Sequence, residues 1–417
     1  MMWILYQIAL ALVLAVAAPV LLLLRGRHYL PTLAGRLGGY DGPATTRPLW
    51  IHSVSVGEAR VAATLARALD ADWPLLVTTV TPTGQAQAAS LLRDRAAIAY
   101  LPLDLGFAVR RFLDRFEPRA LVLVEGDYWP LLLRHVRRRG LPAVVVNGRV
   151  GERSFGRLRR FPGMARILYS GVRRFTMQTE EDRDRLVELG VDSKLISVTG
   201  NLKFDAPVPQ AHPEIEAAFS EVAAGRPILI AGSTMRGEDE QILDAFADAG
   251  GGDAALLVLA PRHPERWDEV AGLIDASGYR FSRRTDLDTA TRADVVLLDS
   301  LGELAALYAI ATAAFVGGTL VATGGHNPLE PAVHAVPVAV GPSMHNFNEM
   351  ARIFDDAAAW QRVDDAAGLG RFFDRAVSGD AGVVALGQRG QELLVANRGA
   401  TQRTLDVVLP ILAEAME

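Results

Sequence analysis

Short runs of Val, Ile, Leu and Ala alternate with longer stretches of helical period along most of the chain, the pattern of parallel α/β units. In the first half the runs Leu49–Val54, Leu75–Val80, Ile98–Leu101, Ala120–Val124, Ala143–Val146, Arg174–Met177 and Leu195–Val198 predict strands. In the second half Ile228–Ala231, Ala255–Leu259, Tyr279–Phe281, Val295–Leu298, Ala314–Val316 and Val336–Val340 predict six more. Runs this continuous, without polar alternation, belong to sheets covered on both faces. Between the halves, Asp205–Pro213 reads DAPVPQAHP; its three prolines disfavour helix and lack the amide hydrogens of a central strand, which predicts a linker. The pattern predicts two Rossmann-like α/β domains, 26–206 and 207–417, with ligands expected in a central cleft at the carboxyl ends of the strands.

A different pattern opens the chain. Trp3–Leu24 carries no charge and is long enough to cross a hydrocarbon core of ~30 Å, so residues 1–25 are read as an N-terminal membrane anchor. Arg25, Arg27 and His28 follow it at once, and the positive-inside rule puts everything beyond in the cytoplasm. A buried core helix, or one lying in the interface, are the alternatives.

With 417 residues, the chain accommodates two domains. Half its residues are hydrophobic and 22% are charged, which excludes a disordered or fibrous protein. A net charge of −5 gives no sign of a nucleic-acid binder. The absence of cysteine excludes disulfides, thiolate metal sites and a cysteine nucleophile. The histidines fall in no zinc-binding spacing, and no metal site is expected. Lys194 and Lys203 are the only lysines, so each invites inspection.

Three segments of the first half close strands with candidate chemistry. In His52-Ser53-Val54-Ser55-Val56-Gly57-Glu58, Ser53 or Ser55 can cap a helix with Glu58 in its first turn; alternatively Glu58 is a general base. Thr81-Pro82-Thr83-Gly84 either holds a polar ligand or caps the next helix. In Glu125-Gly126-Asp127-Tyr128-Trp129-Pro130 the two acids would point the same way in extended backbone, and a carboxylate closing a buried strand must be solvated by something. Lys203, in Gly200-Asn201-Leu202-Lys203-Phe204-Asp205, is either a point charge for an anionic ligand or a solvated surface lysine.

In the second half, Gly232-Ser233-Thr234-Met235-Arg236-Gly237-Glu238 offers hydroxyls and amides suited to a phosphate, although it matches neither a Walker A loop nor a dinucleotide fingerprint. Pro261-Arg262-His263-Pro264-Glu265-Arg266 adds fixed positive charge, with Arg262 able to grip a phosphate bidentately. Gly317 and Gly318 close another strand, and Gly324-Gly325-His326-Asn327-Pro328-Leu329-Glu330-Pro331 brings an amide and an acid beside further glycines. Glycines there would let backbone approach a ligand, and Glu330 could accept hydrogen bonds from ribose hydroxyls.

Assembled in this order and spacing, HSVSVGE, TPTG, EGDYWP, GNLKFD, PRHPER, LGE (Leu301-Gly302-Glu303) and GGHNPLEP resemble the bacterial 3-deoxy-D-manno-octulosonic acid (Kdo) transferases over nearly the whole chain. The resemblance implies a GT-B fold and transfer of Kdo from CMP-Kdo to the 6′-hydroxyl of a lipid A precursor, at the cytoplasmic face of the inner membrane. It also implies that Glu58 is the proton acceptor and that Glu125 and Lys203 support the transition state. CMP contacts would fall on Pro261, Arg262, Leu301, Gly302, Glu303, Asn327, Pro328, Leu329 and Glu330. Ser233, Thr234, His263, Gly317 and Gly318 complete the expected donor site. CMP-Kdo is a substrate, and no cofactor is expected. The chain departs from many relatives in EGDYWP, where they read E-x-E-[LI]-W-P, and in Ala34–Tyr40, where some carry a basic R-W-G-E-R-Y-G-like stretch. Other readings are a GT-B transferase or 2-epimerase using another nucleotide sugar, or a membrane-tethered binding module.

Overall fold

The computed structural model describes residues 30–40, 47–205, 212–287 and 292–417, with Trp3, Tyr6, Gln7, Ile8, Leu10, Leu12, Val13, Ala15 and Val16 before them. The chain divides into two units, Met1–Ala206 with Asn397–Glu417, and Pro207–Ala396.

In the first unit seven strands form one parallel sheet: β1 (Leu49–His52), β2 (Leu75–Thr79), β3 (Ala97–Tyr100), β4 (Ala120–Val124), β5 (Ala143–Gly148), β6 (Val172–Met177) and β7 (Ile196–Val198). Their order is β3-β2-β1-β4-β5-β6-β7, so the topology reverses between β1 and β4. Successive side chains enter opposite faces. Trp50, Leu121 and Leu123 join one apolar cluster, whereas Leu49, Ile51, Val122 and Val124 join the other. Burial on both faces explains why these strands read as unbroken apolar runs.

The second unit repeats the design with β8 (Ile228–Thr234), β9 (Leu256–Pro261), β10 (Phe281–Arg283), β11 (Val295–Leu297), β12 (Ala313–Val316), β13 (Val338–Val340) and β14 (Gln361–Arg362). All pair in parallel, in the order β10-β11-β9-β8-β12-β13-β14, with the reversal between β8 and β12. Ligands of open α/β sheets bind outside the carboxyl ends of strands at such a reversal. Those two places are where His52–Glu58 meets Glu125, and where Ser233–Glu238 meets Gly317-Gly318.

Three expectations are corrected. The predicted strand at Tyr279–Phe281 lies at Phe281–Arg283, where it pairs with Val295–Leu297, while the Tyr279 ring before it packs on Phe246 with centroids 5.2 Å apart. β14 was not predicted; two polar edge residues leave no periodic signal. The stretch 207–417 is not one domain, since helix Ala400–Met416 belongs to the first unit. There Leu405, Val408 and Leu412 cover the same sheet face as Ile51 and Val122. Arg403 Nε also donates to Thr199 O at 2.9 Å, and Asp205 accepts from Gly399 N at 2.7 Å.

Much of the predicted anchor, including residues 17–24, and residues 206–211 of the linker lie outside the described residues. Among the described residues no helix is long and apolar enough to cross a membrane. At the start of the chain, Tyr6 donates to Asp104 Oδ2 at 2.9 Å and Arg134 stacks on Trp3 at 4.6 Å. Ile8, Leu12, Val13 and Val16 are exposed.

Candidate active site

The turn from β1 into helix Val56–Ala68 is a variant of the capping box, in which Ser55 caps the helix and Glu58 reaches back past it to Val54 N. Ser55 accepts from Glu58 N at 3.4 Å and donates to Glu58 Oε1 at 3.0 Å, while Val54 N donates to Glu58 Oε2 at 2.8 Å. Both carboxylate oxygens are therefore aimed, and each keeps a lone pair. Burial raises the Glu58 carboxyl above the ordinary glutamate value, and the charge of Glu125 raises it further. The bonds from Val54 and Ser55, with His52 nearby, work the other way. The capping and general-base readings of Glu58 are thus compatible in one geometry. Thr81 settles as a cap: it accepts from Gly84 N at 3.0 Å and donates to Val54 O at 3.1 Å, steadying the loop that aims Glu58.

Glu125 follows β4 with φ +60°, and Gly126 follows it with φ +110°. The backbone is not extended there, so the expectation that Glu125 and Asp127 point the same way fails. Glu125 turns to Lys203, whose Nζ lies 2.6 Å from Oε1, with Arg149 Nε 4.0 Å from Oε2. Asp127 instead accepts from Trp129 Nε1 at 2.7 Å and faces His52 Nε2 at 3.5 Å. Behind it runs a chain that no sequence signal announced: Trp50 Nε1 donates to Thr78 Oγ1 at 2.8 Å, and Thr78 Oγ1 lies 3.0 Å from Nδ1 of the fully buried His52. Lys203 is not a freely solvated surface lysine: its ammonium is paired with Glu125.

The second unit's reversal is built differently from the expectation. Glu238, fully buried, accepts four main-chain N–H bonds: from Met235 at 2.8 Å, Gly318 at 2.6 Å, and Thr319 and Leu320 at 2.9 Å each. Burial raises its carboxyl, against the pull of those four donors. Gly317 N donates to Gly232 O at 2.8 Å. The amides of Gly317 and Gly318, residues expected in the donor site, are therefore committed inside the protein. Gly317 is glycine because a Cβ there would meet Ser233 O at 2.4 Å, and Ser233 itself has φ +58°.

Thr234 is also spent internally. Its hydroxyl donates to Asp239 Oδ1 at 2.5 Å, Asp239 pairs with the buried Arg266, and Arg266 Nη1 reaches Thr234 O at 3.2 Å. Arg262 N donates to the same carbonyl at 3.0 Å, which ties the end of β9 to the end of β8 and leaves the Arg262 side chain exposed. Pro261 is buried as the last residue of β9, and His263 is exposed, 3.7 Å from Glu265. Glu303 is held by Arg284 Nε at 2.9 Å and Ser300 at 2.6 Å, beneath exposed Leu301 and Gly302 at φ +90°. Asn327 Oδ1 accepts from Leu329 N at 3.2 Å, capping the turn after Pro328, and its amide nitrogen donates to Glu330 Oε1 at 3.2 Å.

Two parallel sheets, each with polar loops gathered at its topological reversal, define an α/β chain of the GT-B class. In fold the chain is similar to UDP-GlcNAc 2-epimerase from Neisseria meningitidis, with TM-score 0.56 and 12% identity, covering 88% of this chain and 100% of that one. A family model described as 3-Deoxy-D-manno-octulosonic-acid transferase (kdotransferase) matches residues 32–206. The chain is 35% identical over 401 residues to the 3-deoxy-D-manno-octulosonic acid transferase of Haemophilus influenzae, covering 94% of each. It is likewise 35% identical over 392 residues to that of Bordetella pertussis, covering 91% of each. The chain belongs to the Kdo transferase family.

Proposed function

We propose that this glycosyltransferase moves Kdo from CMP-Kdo to the 6′-hydroxyl of a lipid A precursor, with inversion, at the cytoplasmic face of the inner membrane. Kdo transfer in lipopolysaccharide synthesis follows from the family. The setting of Glu58 supports its part as the base in that transfer. A carboxylate whose two oxygens are aimed by Val54 and Ser55, and whose basicity is raised by burial and a neighbouring acid, suits the removal of a proton from an alcohol. As that proton passes to Glu58, the acceptor oxygen forms its bond to the anomeric carbon, and the carbon–oxygen bond to CMP breaks with its electron pair on the phosphate. Arg262, exposed beside the end of β9, would meet the charge on that phosphate. The Lys203–Glu125 pair would present a cation beside the reacting sugar, whose own carboxylate is anionic.

Residues 3–24 would hold the enzyme to the bilayer, so that only the sugar head of the lipid must leave it. Mass spectrometry of the product formed from CMP-Kdo and tetraacyl lipid A precursor tests the reading. A mass increase of one or more Kdo residues, with CMP released, is expected. Turnover of UDP-sugars with no reaction of CMP-Kdo would refute it. Recovery in the soluble fraction of full-length protein would refute the membrane assignment.

A further inference from the structure

Asn147 is an amide in the run VVVNGRV, passed over by every motif in the chain. It is fully buried and has φ +54°, a conformation that asparagine tolerates better than other residues with a side chain. It falls where the β5–β6 register breaks between Val145 and Gly148, and such irregularities turn a side chain away from the strand's ordinary alternation. Here the turned side chain meets both segments that carry the Lys203–Glu125 pair.

Asn147 Oδ1 accepts from Leu202 N at 2.9 Å, and this bond decides the orientation of the amide. Its Nδ2 then faces Glu125 and donates to Oε1 at 3.4 Å, the oxygen that Lys203 also contacts. The ring closes through the main chain and two more amides. Asn147 O accepts from Gln178 Nε2 at 2.8 Å, Gln178 Oε1 accepts from Asn201 Nδ2 at 3.0 Å, and Asn201 Oδ1 accepts from Lys203 N at 3.0 Å. An amide suits this position, because one end accepts from a main-chain N–H while the other donates to a carboxylate.

We infer that Asn147 is a positioning residue for Kdo transfer, holding the Glu125 carboxylate and the Lys203 segment at the separation the reaction uses. The inference rests on the reading of Glu125 and Lys203 as parts of the active site. The charged groups facing Glu125 are Lys203 and Arg149, and Glu58 feels its charge.

The test compares N147D, N147A and E125Q in the full-length enzyme, with CMP-Kdo and lipid A precursor. N147D keeps an acceptor for Leu202 N and tolerates the same backbone, so it changes only what faces Glu125. Its kcat should fall by about 10- to 100-fold with KM for CMP-Kdo within about threefold, the signature of misplacement at the reacting centre. The acid limb of its pH–kcat profile should move upward, because an added carboxylate beside Glu125 makes the cluster hold a proton to higher pH. If E125Q is impaired while N147D keeps wild-type kcat and an unmoved acid limb, the positioning role is overturned. Equal losses of kcat and Tm in N147D and N147A, with the acid limb unmoved, would also overturn it by making the role structural. A fully active E125Q would instead overturn the reading of Glu125 itself.

Discussion

The ammonium of Lys203 stands 2.6 Å from the carboxylate of Glu125, on loops that follow β7 and β4. The two side chains are 27% and 14% exposed, so the pair is partly but not wholly withdrawn from water. β5 and β6 lie between the strands that carry them, so the acid with positive φ and the cation meet only because the segment after β7 runs back over the strand ends, where Leu202 N bonds Asn147.

A double-mutant cycle measures that meeting. K203M strips the nearest cation from Glu125 and should cost about 1–2 kcal/mol in urea unfolding, below the loss expected for a fully buried pair because solvent still reaches it. In the E125Q/K203M protein the losses should be less than additive, with a coupling of about 1 kcal/mol. Strict additivity would mean that the contact contributes nothing.

Glu58 allows catalysis and folding to be separated. Glutamine can still accept from Val54 N and bond the Ser55 hydroxyl, so E58Q should unfold within a few degrees of wild type while transfer falls by about 10²–10⁴-fold. Calorimetry should find CMP affinity unchanged in E58Q. Turnover at the wild-type rate would remove Glu58 from the role of base.

The parallel strands were legible because a strand buried on both faces is written in unbroken Val, Ile, Leu and Ala. Glu125 was legible because it ends an apolar run abruptly, Glu58 because it falls in the first turn of the helix that follows one, and Lys203 because the chain has only two lysines. What escaped depends on tertiary encounters. Nothing local in STMRGED says that Glu238 will reach across to the Gly318 amide and fill the nest that glycines seemed to keep for phosphate. The destination of helix Ala400–Met416 is equally silent, since Leu405, Val408 and Leu412 fit an apolar face in either unit. Asn147 carried one faint sign: Asn-Gly after an apolar run marks a backbone that leaves the strand conformation.

The pH dependence has a definite sign. Burial first, and then the Glu125 charge, lift Glu58 above the ordinary value of 4.5. In stability, its contribution is complete below that value and is lost as pH rises through the higher folded value, because ionisation then places a charge in a poorly solvated site. Activity runs the opposite way, since only the ionised carboxylate accepts a proton. The acid limb of kcat/KM, which reports the free enzyme, should therefore lie above pH 4.5, and residual activity of E125Q should show that limb displaced downward. A limb at or below 4.5 in wild type would contradict a raised Glu58.

Glu238 should prove indispensable to the loops at the second unit's topological reversal. Its Oε1 takes Thr319 and Leu320, and its Oε2 takes Met235 and Gly318. In E238Q one oxygen becomes an NH₂ facing two N–H donors, so two bonds are lost and two buried donors are left unsatisfied. A destabilisation of about 2–4 kcal/mol follows from bonds to a charged group at this depth. CMP affinity should fall along with it, because Gly318 and Ser233 are positioned through this carboxylate and through the Gly317–Ser233 approach. G318A offers the complementary perturbation: φ is +70° and a Cβ would lie 2.9 Å from Thr323 Oγ1, so it strains the same loop while sparing the carboxylate. If CMP binds both variants as tightly as wild type, measured by calorimetry below their unfolding temperatures, this loop does not shape the donor site.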